Sequence, residues 1–288
     1  KFSKSSFSRA CLFLLPSLIS VLVLFVMPYL DVIRRSFLDG TGQRFVGMEN
    51  YKTVVENTSF RLAAGNTVLF LSACVPLLLF LSLFIAIYLQ RNKTVGNWLK
   101  SVFLLPMAMP VASIVLLWNV LFTRNGFLSH FLYWFGVTGQ NWLNTKYAFG
   151  ILVFSYIWKN LGYDIILWLA AFATISPEIY EAARVDGAGR FKLMRHITLP
   201  ALMPTFFVLL MLSIANFLNN GMDQYFVFQN AFNKTHIQVL DLYVYNLGIT
   251  GRSISLATAI SMMKSVVSVS LLVVVNFVSK RVRGESII

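Results

Sequence analysis

The chain has 288 residues, of which 57% are hydrophobic and 12% charged, with a mean hydropathy of +0.71 and a formal net charge of +13. A soluble domain with this composition would leave far too much apolar surface in water, so the composition excludes one and indicates an integral membrane protein. The positive charge is not interleaved with aromatic residues outside the apolar runs, which argues against a nucleic-acid partner.

Six apolar segments follow one another near 10–30, 62–90, 100–122, 148–173, 198–222 and 255–280. Each is long enough to cross ~30 Å of hydrocarbon as a helix. Barrel strands would run to about ten residues with strict alternation, so the expected fold is all-α, a single transmembrane domain over 1–288. The first segment has no small-residue cleavage site after it and reads as a retained helix, not a signal peptide. Cys11 and Cys74 lie in apolar segments and read as packing residues. His130, His196 and His236 are far apart in sequence, so neither a metal site nor a catalytic constellation is expected. No G-x-x-x-x-G-K-[ST] phosphate loop occurs, and hence no ATP hydrolysis by this chain alone.

The cations set the orientation. With the N-terminus inside, the inner segments hold thirteen Lys and Arg residues, including Arg91, Lys93, Arg184, Arg190, Lys192, Arg195, Lys280 and Arg281, against nine in the longer outer segments. The positive-inside rule then places both termini and the segment after residue 173 in the cytosol.

That segment is the most distinctive part of the chain. Ser176, Pro177 and Glu178 read as an N-cap, a proline at the first helical position and an acid in the first turn, which predicts a short helix. Gly187 ends it, Gly187-Ala188-Gly189 permits a tight turn into a second short helix ending near His196, and Pro200 takes the first turn of the next apolar helix. The skeleton Glu181-Ala182-Ala183, Gly187, Ile197-x-Leu199-Pro200 resembles the EAA loop of permease subunits of binding-protein-dependent ABC importers. Phe45-Val46-Gly47-Met48-Glu49-Asn50-Tyr51 is similar to a motif that follows the first helix of sugar permeases of this kind. Asp241-Leu242-Tyr243-Val244-Tyr245, Gly248, Ala257-Thr258-Ala259 and Lys264-Ser265-Val266-Val267 resemble the branch that imports oligosaccharides derived from polysaccharides. Only about thirty residues separate the first two apolar segments, so the large insertion of the maltose-type subunit is missing.

The resemblance implies the type I ABC importer permease fold, six transmembrane helices with a cytosolic coupling loop over 176–197, in the bacterial cytoplasmic membrane. It implies a second homologous permease subunit, two ATPase subunits that bind ATP and Mg, an extracytoplasmic solute-binding protein and an oligosaccharide substrate. No cofactor belongs to this chain. Glu181, Ala182, Ala183, Asp186, Gly187 and Arg190 would couple it to the ATPases, with Glu181 fixing the loop through hydrogen bonds or a charge pair.

Segment 148–173 carries Lys159, Asn160, Tyr163 and Asp164 beside Gly162, a potential loosening point in the helix. A charge at that depth costs at least about 2.5–3.5 kcal/mol and must face protein, water or ligand. Lys159 either lines a transport path or pairs with Asp164, although the two lie ~140° apart on an ideal helix. In segment 198–222, Asn216, Asn219 and Asn220 share one face at i, i+3 and i+4. Their amides suit sugar hydroxyls, with Tyr163 and Phe217 as an apolar platform for a ring, or else serve as hydrogen-bonding glue between helices. Sugar permeases of the family this chain resembles hold substrate at the stretch matching Trp158 to Tyr163 and at an Asn cluster on the following helix. Lys264 is a further intramembrane cation, either interior or snorkelling. A lysine near mid-membrane points to an acidic substrate, such as uronate oligosaccharides of the alginate or pectin kind. The competing class is an ion-coupled transporter or channel subunit, for which inverted repeats and several acids are expected. Asp164 is the one acid within an apolar segment.

Overall fold

The computed structural model describes residues 4–136, 139–220 and 222–283, and side chains within 13–92, 98–136, 139–218 and 223–282. A continuous first helix is made of α1 (Lys4–Val21), a π-helical turn (Leu22–Val26) and α2 (Met27–Ser36). After α3 (Glu49–Glu56) come α4 (Thr58–Arg91), α5 (Lys93–Ala108), α6 (Val111–Phe122) and α7 (Phe127–Tyr133). The chain continues through α8 (Ala148–Ala173), α9 (Pro177–Val185), α10 (Arg190–Leu193) and α11 (Leu199–Asn220). Short helices α12 (Met222–Phe228), α13 (Lys234–Ile237) and α14 (Leu240–Tyr245) precede α15 (Ile254–Arg283).

Among the described residues, five helices are long and apolar enough to cross a membrane: Phe13–Ser36, Thr58–Arg91, Val111–Tyr133, Arg190–Leu218 and Ile254–Val282. The pair Ala148–Ala173 and Pro177–Val185, bent by 64°, supplies a sixth. One expected segment is not a single helix. Residues 100–122 are split because Met109 (ψ 136°) and Pro110 (ψ 139°) are extended; a proline steers the residue before it out of the α region and brings no N–H of its own.

The chain divides into two compact units, residues 1–61 with 243–266 and residues 62–242 with 267–288. In the first, the Phe45–Tyr51 motif is a clasp. Gly47 supplies a φ of +60°, and the buried Asn50 amide donates to the carbonyls of Ser36 (2.9 Å) and Leu38 (2.7 Å). Tyr51 donates to Ser36 Oγ at 2.7 Å and lays its ring against Phe37. Nearby, the Thr41 hydroxyl, with the amides of Arg44, Gln43 and Gly42, holds the Asp39 carboxyl below the usual carboxylate range. These contacts satisfy the end of α2 and the turn after it.

The second unit has an apolar core pinned by indole–hydroxyl pairs. Trp118 Nε1 donates to Ser155 Oγ at 2.6 Å, Trp168 Nε1 to Ser82 Oγ at 3.0 Å and Trp142 Nε1 to Ser129 Oγ at 2.9 Å. A buried indole needs an acceptor, and a small hydroxyl on the facing helix provides one without opening a gap. Asn233 in turn ties the loop before α13 to the carbonyls of Leu143 and Phe228, each at 3.0 Å. Helices α5 and α8 approach so closely at Gly162 that a Cβ there would fall on the Phe103 carbonyl. Gly162 therefore does not loosen α8, which runs unbroken from Ala148 to Ala173. It is the small residue that lets two helix backbones touch.

Candidate functional site

The loop between α8 and α11 is built largely as its residues dictate. Ser176 Oγ accepts from the Glu178 amide at 3.3 Å, with Pro177 in the first turn of α9. At the other end the Ala188 amide donates to Ala183 O (2.9 Å) and the Gly187 amide to Arg184 O (3.0 Å). That pair of bonds is a Schellman C-cap, which requires a left-handed residue, and Gly187 supplies it with φ +75°. Chain direction then reverses into α10.

Two expectations for this loop need correction. The second short helix does not end near His196: α10, a π turn (Met194–Thr198) and α11 form one helix. No breaker stands between Gly189 and Pro200, and the π turn absorbs the missing N–H of Pro200. Nor does Glu181 fix the loop, since its exposed side chain makes no hydrogen bond or ion pair among the described residues. The contact that does so is Tyr180 Oη with Thr198 Oγ1 at 3.0 Å, the latter donating onward to Leu193 O at 3.3 Å. Nothing periodic in the sequence announces that pair.

Glu181, Ala182, Asp186, Gly187 and Arg190 are exposed and Ala183 is half-buried. Beside them, Val185 is 88% exposed and Phe191 74%. Apolar side chains so bare at a helix–turn–helix tip, flanked by both signs of charge, form a surface suited to a protein partner.

In α8, Lys159 and Asn160 are half-buried, Tyr163 is 37% exposed and Asp164 only 4%. Lys159 and Asp164 form no ion pair, and Asp164 Oδ2 is buried without a hydrogen-bond partner among the described residues. Asp223, exposed at the start of α12, is an acid within electrostatic reach of Lys159, with no ion pair between them among the described residues. Asn160 donates to the Tyr156 carbonyl of its own helix at 2.8 Å, which leaves only part of its amide for a ligand.

Helices α8 and α11 meet through Tyr156 and Phe217, ring centroids 5.5 Å apart and edge to face. That contact brings Asn216, which is exposed, to within about one turn of the level of Lys159 and Asn160. Phe217 itself is 3% exposed and packed on Tyr156, so it is core, not a sugar platform. The side chains of Asn219 and Asn220 lie outside the described ones. Lys264 is half-buried in α15 and has a partner.

Known proteins match this chain over most of its length. The family described as "Binding-protein-dependent transport system inner membrane component" matches residues 78–284. Protein LplB of Bacillus subtilis (strain 168) is 44% identical over 137 residues, a match covering 48% of this chain and 43% of that protein's length. The polygalacturonan/rhamnogalacturonan transport system permease protein YteP of the same organism is 29% identical, over 87% of this chain and 79% of YteP. The structure is similar, with a TM-score of 0.86 and 26% identity, to a chain of a bacterial alginate ABC transporter in complex with an alginate pentasaccharide-bound periplasmic protein. That match covers 96% of this chain and 95% of the other.

Proposed function

This chain belongs to the family of binding-protein-dependent transport system inner membrane components, and we propose that it is the permease subunit of an ATP-driven importer of acidic oligosaccharides. The observation that carries the coupling half of this reading is the capped helix–turn–helix over 176–197, with its apolar tip exposed at Val185 and Phe191. ATP hydrolysis falls to partner subunits that seat on this tip, and Mg and nucleotide belong to them. A second permease subunit completes the pathway, and an extracytoplasmic binding protein delivers the sugar, as a periplasmic protein does for the similar alginate transporter.

In the substrate half, Lys159 receives a uronate carboxylate, Asn216, Asn219 and Asn220 take hydroxyls, and Tyr163 offers a ring face. Three observations support it: a half-buried lysine with no ion pair to Asp164, an exposed Asn216 near its level, and similarity to a polygalacturonan/rhamnogalacturonan transport system permease and to a chain of an alginate ABC transporter. Both termini and the coupling loop face the cytosol, as the distribution of cations favours. Movement follows alternating access: closure of the ATPases swings the coupling helix and turns the polar site from one face of the membrane to the other.

The test is reconstitution of the whole complex in proteoliposomes, with uptake of uronate oligosaccharides measured against neutral ones of equal length. ATP-dependent uptake that prefers the acidic series supports the proposal. Uptake of neutral sugars alone removes the acidic-substrate reading, and gradient-driven uptake by the lone chain removes the ATP-driven one.

A further inference from the structure

Outside the transport site, a groove of about 540 Å³ lies at one end of two membrane helices, lined by Arg195, Leu199, Pro200, Met203, Pro204 and Val282. Arg195 precedes the apolar stretch of α11, and Val282 ends the apolar stretch of α15. The groove therefore sits at the depth where hydrocarbon meets headgroups, on the cytosolic side in the orientation proposed above.

Two features set its chemistry. The Arg195 guanidinium is exposed and makes no hydrogen bond or ion pair among the described residues. Arg195 is the one charged residue lining the groove, and no acid occurs between Asp186 and Asp223 or along α15, the next acid after Val282 being Glu285. The remaining wall is apolar, stiffened by two proline rings that cannot flatten against the helix. At ~30 Å³ per water, the space equals on the order of eighteen waters, far more than an inorganic phosphate fills. A free anion would satisfy Arg195 and leave the apolar wall wet, whereas an apolar peptide would cover the wall and leave Arg195 unmatched.

We propose that this groove binds an anionic phospholipid of the cytosolic leaflet, with the phosphate on Arg195 and the start of an acyl chain along Leu199, Met203 and Val282. Basic pockets between membrane helices on the cytoplasmic side suit such headgroups. The inference rests on the proposed orientation but not on the identity of the transported sugar. Arg195 is on the same continuous helix as the coupling tip at Arg190, so a lipid held here would brace the base of the coupling hairpin.

The test uses the intact transporter complex in detergent, stripped of lipid and titrated with phosphatidylglycerol, phosphatidylethanolamine or inorganic phosphate under native mass spectrometry. A saturable phosphatidylglycerol adduct is expected, stronger than any phosphatidylethanolamine adduct. Arg195→Gln should weaken it about fivefold, the ~1 kcal/mol that one arginine near an anionic surface supplies, and Arg195→Lys should keep most of it. Met203→Trp, which fills the groove without touching the charge, should abolish the adduct outright. Equal binding of the two lipids, no effect of Arg195→Gln, or displacement of the lipid by phosphate would each overturn the proposal. Loss of an ATPase or permease subunit from the Arg195→Gln and Met203→Trp complexes would make the groove a protein interface and overturn it too. Because the readout is a lipid adduct, it stays separate from failure of sugar uptake, and cysteine labelling reports the orientation.

Discussion

The phenol of Tyr180 lies 3.0 Å from the hydroxyl of Thr198, joining the helix that enters the coupling hairpin to the turn that leaves it. A hinge between α9 and α11 would otherwise rest on Gly187 and a C-cap. With the pair closed, the hairpin can move as one body and transmit a push from a partner into α11. Tyr180→Phe removes one hydrogen bond, worth about 0.5–1.5 kcal/mol. Amide exchange over residues 181–193 should then quicken roughly 2- to 10-fold while the membrane helices stay unchanged. An identical exchange pattern in the variant would show that the pair carries no constraint.

Gly187 holds φ +75°, and a Cβ on it would meet nothing within 4 Å, so space is ample and conformation alone forbids a side chain. Gly187→Val should strain the turn by more than the ~1–2 kcal/mol of an ordinary left-handed residue and lower substrate-stimulated ATPase activity of the assembled complex. Gly187→Asn, which tolerates that region, should retain most of it. Wild-type stimulation in the valine variant would sink the account of the turn.

At Gly162 the reverse holds, because backbone conformation is helical and space is absent. Gly162→Ala should force α5 and α8 apart and destabilise the unit by about 1–3 kcal/mol, the usual cost of overpacking. The measurement is thermal unfolding of the purified complex in detergent. No fall in the midpoint would mean the two helices separate freely.

Lys159→Met keeps length and bulk while removing the charge. If a carboxylate meets that lysine, the KM for uronate oligosaccharides should rise about 10- to 100-fold, the ~1.5–3 kcal/mol of a charged hydrogen bond, and neutral oligosaccharides should respond little. Asp223→Asn, which removes an acid within electrostatic reach of Lys159, should lower the KM for acidic substrates. Parallel changes for acidic and neutral sugars would instead assign both residues to structure.

Orientation is open to cysteine labelling with a membrane-impermeant reagent. Lys52 and Lys234 are exposed and suit the outer positions, whereas Asn50 is clamped to Ser36 and Leu38 and would report damage. Cysteines at 52 and 234 should label in intact cells, and one at Arg190 only after the membrane is opened. External labelling at 190 contradicts both the topology and the seating of ATPases on the hairpin.

The membrane class, the approximate positions of the apolar helices and the start and stop of α9 are all legible in the residues without any neighbour. These are local matters: a run of apolar residues is insoluble wherever it sits, Ser176-Pro177 caps the helix it begins, and Gly187 is left-handed because its own backbone allows it. Other features came from packing: Gly162 is a contact and not a hinge, Phe217 belongs to the core, Lys159 and Asp164 do not pair, and Tyr180 finds Thr198. Each depends on what a neighbouring helix presents at a given depth and rotation. Helical periodicity dictates which residues share a face, but only the assembled helices dictate what that face meets.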